Sequence, residues 1–326
     1  MSETILVCGG AGYIGSHMVR LLVAEGFDVV VLDDLSTGHR EAVDGVELVE
    51  ADVRDGAALD SVLESRDFAA VMHFCAKSLV GESVQQPLAY YDNNVSGTLS
   101  LLQAMQRHGV EKLVFSSTAA IFGEPVSEFI DETQPTVPVN PYGHSKLMVE
   151  RILADACAAS GLRAVALRYF NAAGASMVGG IGESHEPETH LIPNVLKAAV
   201  GSGQRLNVFG DDYDTPDGTC IRDYIHVDDL ARAHLAALEF MAREDGFHAF
   251  NLGSGQGFSV LEVIRAAGKV VGSEVPYDVA ERRPGDPAVL VASSALAAEK
   301  LGWRPQINDL ETIIGSAWAW HRDQRF

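Results

Sequence analysis

The chain has 326 residues, 47% of them apolar, which is enough to bury a sizeable core and excludes a disordered polymer. Its 45 acidic residues outnumber 24 lysines and arginines, and the formal charge of -21 repels nucleic-acid phosphates over most of the surface. Only six of the cations are lysines, a balance that fits either a salt-adapted source or an ordinary acidic enzyme from an arginine-favouring genome. Cys8, Cys75, Cys157 and Cys220 lie far apart and form no CxxC pair, so they are expected as free thiols in a reducing cytoplasm, and no metal site is expected. No signal-peptide pattern precedes the first apolar run and no apolar run reaches about 18 residues, so neither secretion nor membrane spanning is expected.

The β-branched run TILVC at residues 4–8 ends in glycines, and the spacing of Met18, Leu21 and Leu22 predicts a helix over 16–24. The alternation continues with strands at 28–32, 46–49, 70–74, 112–116 and 163–168, separated by helices at 57–63, 94–107 and 142–159. Strands that read as continuous apolar runs are buried on both faces, which predicts an α/β fold built on a doubly wound parallel Rossmann sheet. After Asn171 the rhythm changes, and polar, turn-rich stretches at 174–190 and 210–219 are too long to be simple connectors. Short strands at 206–209, 249–252 and 276–279 and helices at 231–241, 260–271 and 310–321 predict a smaller mixed α/β lobe. The expected division is a dinucleotide-binding domain at 1–174, with a returning segment near 221–252, and a substrate lobe at 175–326.

Gly9, Gly12 and Gly15 follow the first strand directly and lead into a helix. There they permit a tight turn and bring a pyrophosphate close to the free amides of the helix N-terminus. The spacing is GxxGxxG rather than GxGxxG. Asp33 closes the second strand, where a carboxylate accepts both ribose hydroxyls of an adenosine and repels a 2'-phosphate, so NAD is expected rather than NADP. Asp52, read as the end of the third strand, is placed either to meet the adenine or simply as a solvated strand-end acid.

The segment NPYGHSK at 140–146 opens a helix with a good N-cap, Asn140, and a good first residue, Pro141. Tyr142 and Lys146 are then neighbours on one face, about 5–6 Å apart at Cβ. Making a phenol a usable base near neutrality requires a pKa shift of about three units, or roughly 4 kcal/mol. A full ammonium charge about 4 Å away supplies approximately that at an effective dielectric of 20. The helix starts at the carboxyl edge of the sheet, where the fifth strand also delivers the Thr118 hydroxyl. That hydroxyl could instead cap backbone.

Taken together, GGAGYIGSH, LDDLSTGH, VGESVQQPLAYYDNNVSGTL, FSSTAAIFG, PYGHSKLMVE, LRYFNAAGA, HLIPNV, GTCIRDYIHVDDLA, NLGSG and RRPGDPA resemble the extended short-chain dehydrogenase/reductase family, in the same order and over essentially the whole chain. Within it the resemblance is to the nucleotide-sugar 4-epimerases. It implies interconversion of UDP-galactose and UDP-glucose through hydride transfer from C4 to tightly held NAD, rotation of a 4-keto sugar, and hydride return to its other face. Tyr142 would be the base for the 4-hydroxyl, Lys146 would lower its pKa and bind the nicotinamide ribose, and Thr118 would share the hydrogen bond to the 4-oxygen. The resemblance assigns the cofactor to Gly9, Gly12, Gly15, Tyr13, Ile14, Asp33, Asp34, Leu35, Ser36, Thr37 and Gly38 at the first two strand ends. Further along it adds Asp52, Val53, Phe74, Cys75, Ala76, Lys77, Ser78, Asn93, Tyr169 and Phe170. The UDP-sugar would meet Asn171, Leu191, Asn207, Phe209, Arg222, Tyr224, Arg283 and Asp286, with Leu290 setting whether an N-acetyl group is admitted. Paired arginines suit a diphosphate, because planar guanidinium groups bind phosphate in a bidentate manner. A homodimer built on the helices at 94–107 and 142–159 is also implied.

Phe122 stands where the family often has tyrosine, and His190 where asparagine is common beside Leu191. His144, two residues from each member of the Tyr142–Lys146 pair, points to another helical face and reads as solvated or structural. A dehydratase or decarboxylase of the same fold carries an acid directly after the Thr118 position, and here that place holds Ala119 and Ala120. A non-catalytic NAD sensor is the other alternative, but it would have no use for the tyrosine–lysine pair.

Overall fold

A computed structural model describes every residue except Met1, Val126, Glu128, Ser202, Gly203, Gln204, Pro284 and Gly285. The middle of the RRPGDPA motif therefore lies outside the described residues. The first half alternates as the apolar pattern requires. In order come β1 (Thr4–Cys8), α1 (Tyr13–Ala24), β2 (Asp28–Asp33), β3 (Glu47–Glu50), α2 (Gly56–Glu64) and β4 (Phe68–His73). Two short helices follow, α3 (Val80–Gln85) and α4 (Pro87–Tyr91), then a π-helical turn over Asp92–Ser96 that runs into α5 (Gly97–His108). Next are β5 (Lys112–Thr118), β6 (Phe129–Ile130), α6 (Pro141–Ser160), β7 (Arg163–Tyr169) and β8 (Asn171–Ala173). The remainder is α7 (Leu191–Ala199), β9 (Leu206–Phe209), β10 (Ile221–His226), α8 (Val227–Phe240), β11 (Phe247–Leu252), β12 (Gly257–Ser259), α9 (Val260–Val271), β13 (Tyr277–Ala280), β14 (Val289–Ala292), α10 (Ala295–Lys300) and α11 (Leu310–Arg322).

Seven parallel strands form the main sheet in the order β11-β7-β5-β4-β1-β2-β3. Alternate residues of β1 serve opposite faces, which explains why the strand reads as unbroken apolar sequence. Ile5 and Val7 pack with Met18 and Leu22 of α1 and Leu230 of α8, while Leu6 and Cys8 pack with Leu59 of α2, Leu101 of α5 and Leu153 of α6. The strand order reverses between β1 and β4, where Cys8 lies beside His73, so a crevice opens at their carboxyl ends. The later strand β11 returns to the edge of this sheet beside β7, while β8, β10, β12, β14 and β6 make a second sheet and β9 pairs with β13. Tyr224 of β10 sits opposite Asn171 of β8, and Arg222 opposite Leu290 of β14, so the second sheet carries polar groups toward the same edge.

Three readings of the sequence shift. The helix expected from residue 94 starts at Gly97, with the π turn ahead of it holding Asn93 and Asn94. The third strand ends at Glu50, so Asp52 lies in the loop beyond it. Strands β8, β10 and β14 and helix α7 were not legible, since each is short or carries charged and polar residues that hide its period. Among the described residues no helix is long and apolar enough to cross a membrane.

Candidate active site

At the β1–α1 turn, Gly9 adopts φ +80°, and a Cβ there would lie 2.7 Å from the Cys75 backbone nitrogen. At Gly15 a Cβ would lie 2.1 Å from the Gly9 carbonyl oxygen. The cradle therefore exists only with glycine at these two places, and Gly12 is the N-cap of α1, with no side-chain bond over its first amides. That is the arrangement a pyrophosphate needs. Asp33, buried at the end of β2, accepts from the amides of Ala11 and Leu35, both at 2.9 Å, which fixes the carboxylate in the crevice. Burial raises its pKa and the two amides offset part of that, leaving lone pairs free for two ribose hydroxyls. A nicotinamide adenine dinucleotide fits this donor and acceptor set.

Other predicted cofactor residues play parts that spacing did not reveal. Ile14 and Val53 put their side chains into the core, Val53 packing against the position of Gly97. The Tyr13 hydroxyl donates to the Gly174 carbonyl at 2.6 Å, joining α1 to the loop that leads into the second lobe. Asp52 is bound by the Arg54 guanidinium, which also reaches Asp92, so its solvated reading is replaced by an ion-pair reading. Asn94 holds the loop after β4 by accepting from the Lys77 amide at 2.9 Å and donating to the Lys77 carbonyl at 3.0 Å. Cys75 is half-buried, with desolvation pushing its thiol up, and Asp34, Ser36, Thr37, Lys77 and Ser78 are exposed along the same edge. Leu35, at φ 55°, is the one non-glycine residue among those described in the left-handed region.

The Asn140 side chain accepts from the Gly143 amide at 2.9 Å, and Pro141 opens α6, so Tyr142 projects from the first turn as the sequence predicted. Its phenol lies beside the Thr118 side chain; burial raises the phenol pKa, and that hydroxyl counters part of the rise. Thr118 Oγ1 accepts from the Ala120 amide at 3.1 Å, the backbone-capping part weighed for it. Lys146 is fully enclosed, donating from Nζ to the Ser116 carbonyl at 2.7 Å and lying 4.7 Å from the centre of the Phe115 ring. Burial brings its pKa down to about 7, with Cys75 and Glu150 offsetting only part. The sequence-based energy therefore needs correction: at neutral pH the amine carries only part of a full charge, because the enclosure that strengthens its field also disfavours its ammonium form.

That enclosure has a measurable consequence. Between the folded value of about 7 and the ordinary 10.5, the unfolded chain binds more protons than the folded one, so this group makes stability rise with pH. Urea titration of the parent and a Lys146→Met variant at pH 7 and pH 10 is expected to show the parent gaining on the variant by on the order of 4 kcal/mol. A difference independent of pH would contradict the buried-amine geometry.

Behind the tyrosine lies a group of residues that sequence reasoning missed. Glu150, one turn beyond Lys146 on α6, accepts from Ser117 Oγ at 2.5 Å and from Arg168 Nη2 at 2.6 Å, all in the interior. Ser116 Oγ is hydrogen-bonded to the Tyr169 hydroxyl. The i, i+4, i+8 row of Tyr142, Lys146 and Glu150 was the available signal. On the other lobe, Arg222 is ion-paired with Asp286, and Arg283 lies 4.1 Å from the centre of the Phe209 ring, so four predicted substrate residues stand together. The Asn171 amide donates to the Asp223 carbonyl at 2.8 Å, Tyr224 is buried and Asn207 exposed, and Leu191 packs at the start of α7. Leu290 packs with Ile121, Phe122, Ile130 and Leu147 beside the turn that follows Thr118. His144 is exposed on the opposite side of α6.

A doubly wound sheet with a glycine cradle, a ribose-binding acid and a tyrosine beside a strand-end hydroxyl defines a nucleotide-dependent short-chain enzyme. Residues 5–253 match the model of the NAD dependent epimerase/dehydratase family, and the chain belongs to it. It is 53% identical to the UDP-glucose 4-epimerase of Halalkalibacterium halodurans over 319 residues, 98% of this chain and 96% of that one. The UDP-glucose 4-epimerase of Brucella ovis, solved in complex with NAD, superposes with a TM-score of 0.95 at 50% identity, covering 97% of this chain and 98% of the other. That of Bifidobacterium longum, solved with NAD+ and UDP, gives 0.93 at 41% identity and covers 99% of both.

Proposed function

We propose that this chain interconverts UDP-galactose and UDP-glucose by inverting carbon 4 of the hexose, with Tyr142 as the proton-transferring residue. The observation that carries this reading is the Tyr142 phenol beside Thr118 at the carboxyl end of β5, with the enclosed Lys146 one turn further along α6. The bound dinucleotide supplies a position that accepts a hydride from C4 and gives one back. Tyr142 takes the 4-hydroxyl proton as the carbonyl forms and returns it to the 4-oxygen as the carbonyl is reduced, so no net oxidation occurs. Thr118 orients the 4-oxygen, and Lys146, held by the Ser116 carbonyl, contributes positive charge near the phenol and a donor for the nicotinamide ribose.

Gly9, Gly12, Gly15 and Asp33 would hold the cofactor, while Arg222 and Arg283 would carry the diphosphate, helped by their place in an otherwise acidic chain. Residues 1–174 with the return near 221–252 serve the dinucleotide, and the rest of 175–326 serves the UDP-sugar. Elimination chemistry is disfavoured because Ala119 and Ala120 supply no proton donor or acceptor beside Thr118. Incubating the purified protein with UDP-galactose and no added cofactor should yield UDP-glucose, and denaturation should release NAD. Absence of both products would overturn the reading.

Leu290 is half-buried and intermediate in size, so UDP-N-acetylglucosamine should be turned over more slowly than UDP-glucose rather than excluded. In a Leu290→Tyr variant the ratio of the two kcat/KM values should fall about 10-fold or more against the N-acetylated sugar. An unchanged ratio would remove Leu290 as the gate.

A homodimer is supported by Val84, Leu88 and Met148, which α3, α4 and α6 leave 63%, 80% and 43% exposed on neighbouring helices. A reducing cytoplasm is the compartment that the four free cysteines support.

A further inference from the structure

The loop between Gly174 and α7 brings together four side chains, of which the sequence reading noted only His190, and not as a ligand. Glu183, His185, Glu188 and His190 follow the pattern E-x-H-x-x-E-x-H, and their ligand atoms all lie within 4.8 Å of one another. We propose that this tetrad is a binding site for one divalent cation of the zinc class, held by two imidazole nitrogens and two carboxylate oxygens.

The spacing fits. His185 Nδ1 lies 3.3 Å from Glu183 Oε1 and 3.8 Å from Glu188 Oε2, His190 Nδ1 lies 3.8 Å from Glu188 Oε1, and His190 Nδ1 is in contact with Glu183 Oε1. Tetrahedral bonds of about 2.0–2.1 Å place neighbouring ligand atoms about 3.3–3.4 Å apart, so small side-chain rotations would seat an ion among them. Charge also fits. The two carboxylate side chains are only 5% and 3% exposed, and a divalent cation would neutralise both at once inside a poorly solvated loop. The donor set selects the metal: imidazole favours zinc and its neighbours, whereas magnesium and calcium take oxygen ligands throughout.

The groups are held in place from outside, as metal ligands usually are. Trp320 Nε1 donates to the Glu183 carbonyl at 2.8 Å, and Gly182 presses so closely on the Trp320 ring that a Cβ there would lie 2.4 Å from Cγ. Glu188 Oε1 accepts from the amides of Thr189 and His190 at 2.7 and 2.8 Å. The site is a junction. His185 meets the Tyr13 ring edge to face at 6.3 Å, the Ser184 carbonyl is 3.2 Å from His39 Nε2, and His190 precedes the first residue of α7. Four protein ligands leave no open position for substrate, so the ion would be structural, fastening the cofactor-side turn to the helix that begins at Leu191.

The test uses the full chain. After exhaustive chelation, titration with zinc chloride should bind about one equivalent per chain and raise the unfolding temperature by several degrees, while magnesium and calcium leave it unchanged. Cobalt(II) alone added to the same protein should give the strong visible absorption of a tetrahedral site, displaced by zinc. His185→Gln and Glu188→Gln variants should lose the stoichiometric binding and the temperature shift; should either fail to fold, the cobalt spectrum of the parent decides. Weak octahedral cobalt bands, sub-stoichiometric zinc, zinc binding undiminished in folded variants, or equal stabilisation by magnesium would each overturn the proposal.

Discussion

Replacing Tyr142 by phenylalanine should lower kcat for UDP-galactose by about 10²–10⁴-fold while the protein stays folded and retains its dinucleotide. In the proposed function the phenol exchanges the 4-hydroxyl proton. Its loss removes general acid–base catalysis in both half-reactions, but from the folded chain it removes at most one hydrogen bond, the one its neighbour Thr118 can offer. Such a bond contributes about 0.5–1.5 kcal/mol, too little to unfold a protein of this size. A Thr118→Val variant separates orientation from proton transfer. It loses the hydroxyl beside the phenol and leaves the Ala120 amide without its side-chain acceptor, so both kcat and stability should fall, but kcat by less than in the phenylalanine variant. Rates of C4 inversion measured with and without added NAD distinguish lost chemistry from lost cofactor. A phenylalanine variant within about threefold of the parent would mean that Tyr142 is not the acid–base group.

The largest loss of stability is expected from Glu150→Gln or Arg168→Met. The two side chains are 4% and 10% exposed, and the carboxylate accepts from Arg168 Nε at 3.0 Å, from Nη2 at 2.6 Å and from Ser117 Oγ at 2.5 Å. Removing one member leaves the other as an uncompensated charge in the interior, which costs about 3–5 kcal/mol. Replacing both with Glu150→Leu and Arg168→Met should cost less than the sum of the single changes, because no lone charge remains. Activity should respond as well. Ser117 lies between Ser116, whose carbonyl holds Lys146, and Thr118, whose side chain neighbours Tyr142, so loosening it shifts both. Urea unfolding midpoints of the parent, the two single variants and the double variant form the cycle that decides. Single changes that cost less than about 1 kcal/mol would show that the pair is not desolvated as the structure has it.

Much of this site could be read before any coordinates, because its signals are local. A glycine turn requires residues without Cβ at fixed spacing, a helix start requires its cap, and i, i+4 neighbours share a face whatever surrounds them. Gly9, Gly15, Asn140, Tyr142 and Lys146 were legible on those grounds, and so was the parallel sheet, since strands buried on both faces read as unbroken apolar runs. Burial and partnership across the chain were not legible. That Lys146 is enclosed enough to titrate near 7, that Asp52 is already bound by Arg54, and that Arg222 pairs with Asp286 depend on elements brought together from distant places.

The same divide explains Glu150 and the loop tetrad. Glutamate on a helix ordinarily faces water, and only the docking of Arg168 from β7 and Ser117 from β5 makes its interior position tenable. Glu183 and His190, seven residues apart, meet because the loop folds back against Trp320 of the last helix, a contact that no local period announces. The sequence alone determined the turn chemistry, the sheet and the placing of Tyr142 and Lys146 on one helical face, because each follows from backbone geometry over a few residues. Tertiary structure alone decided which charges are desolvated and what each one meets, because desolvation depends on everything packed around a group and not on its neighbours along the chain.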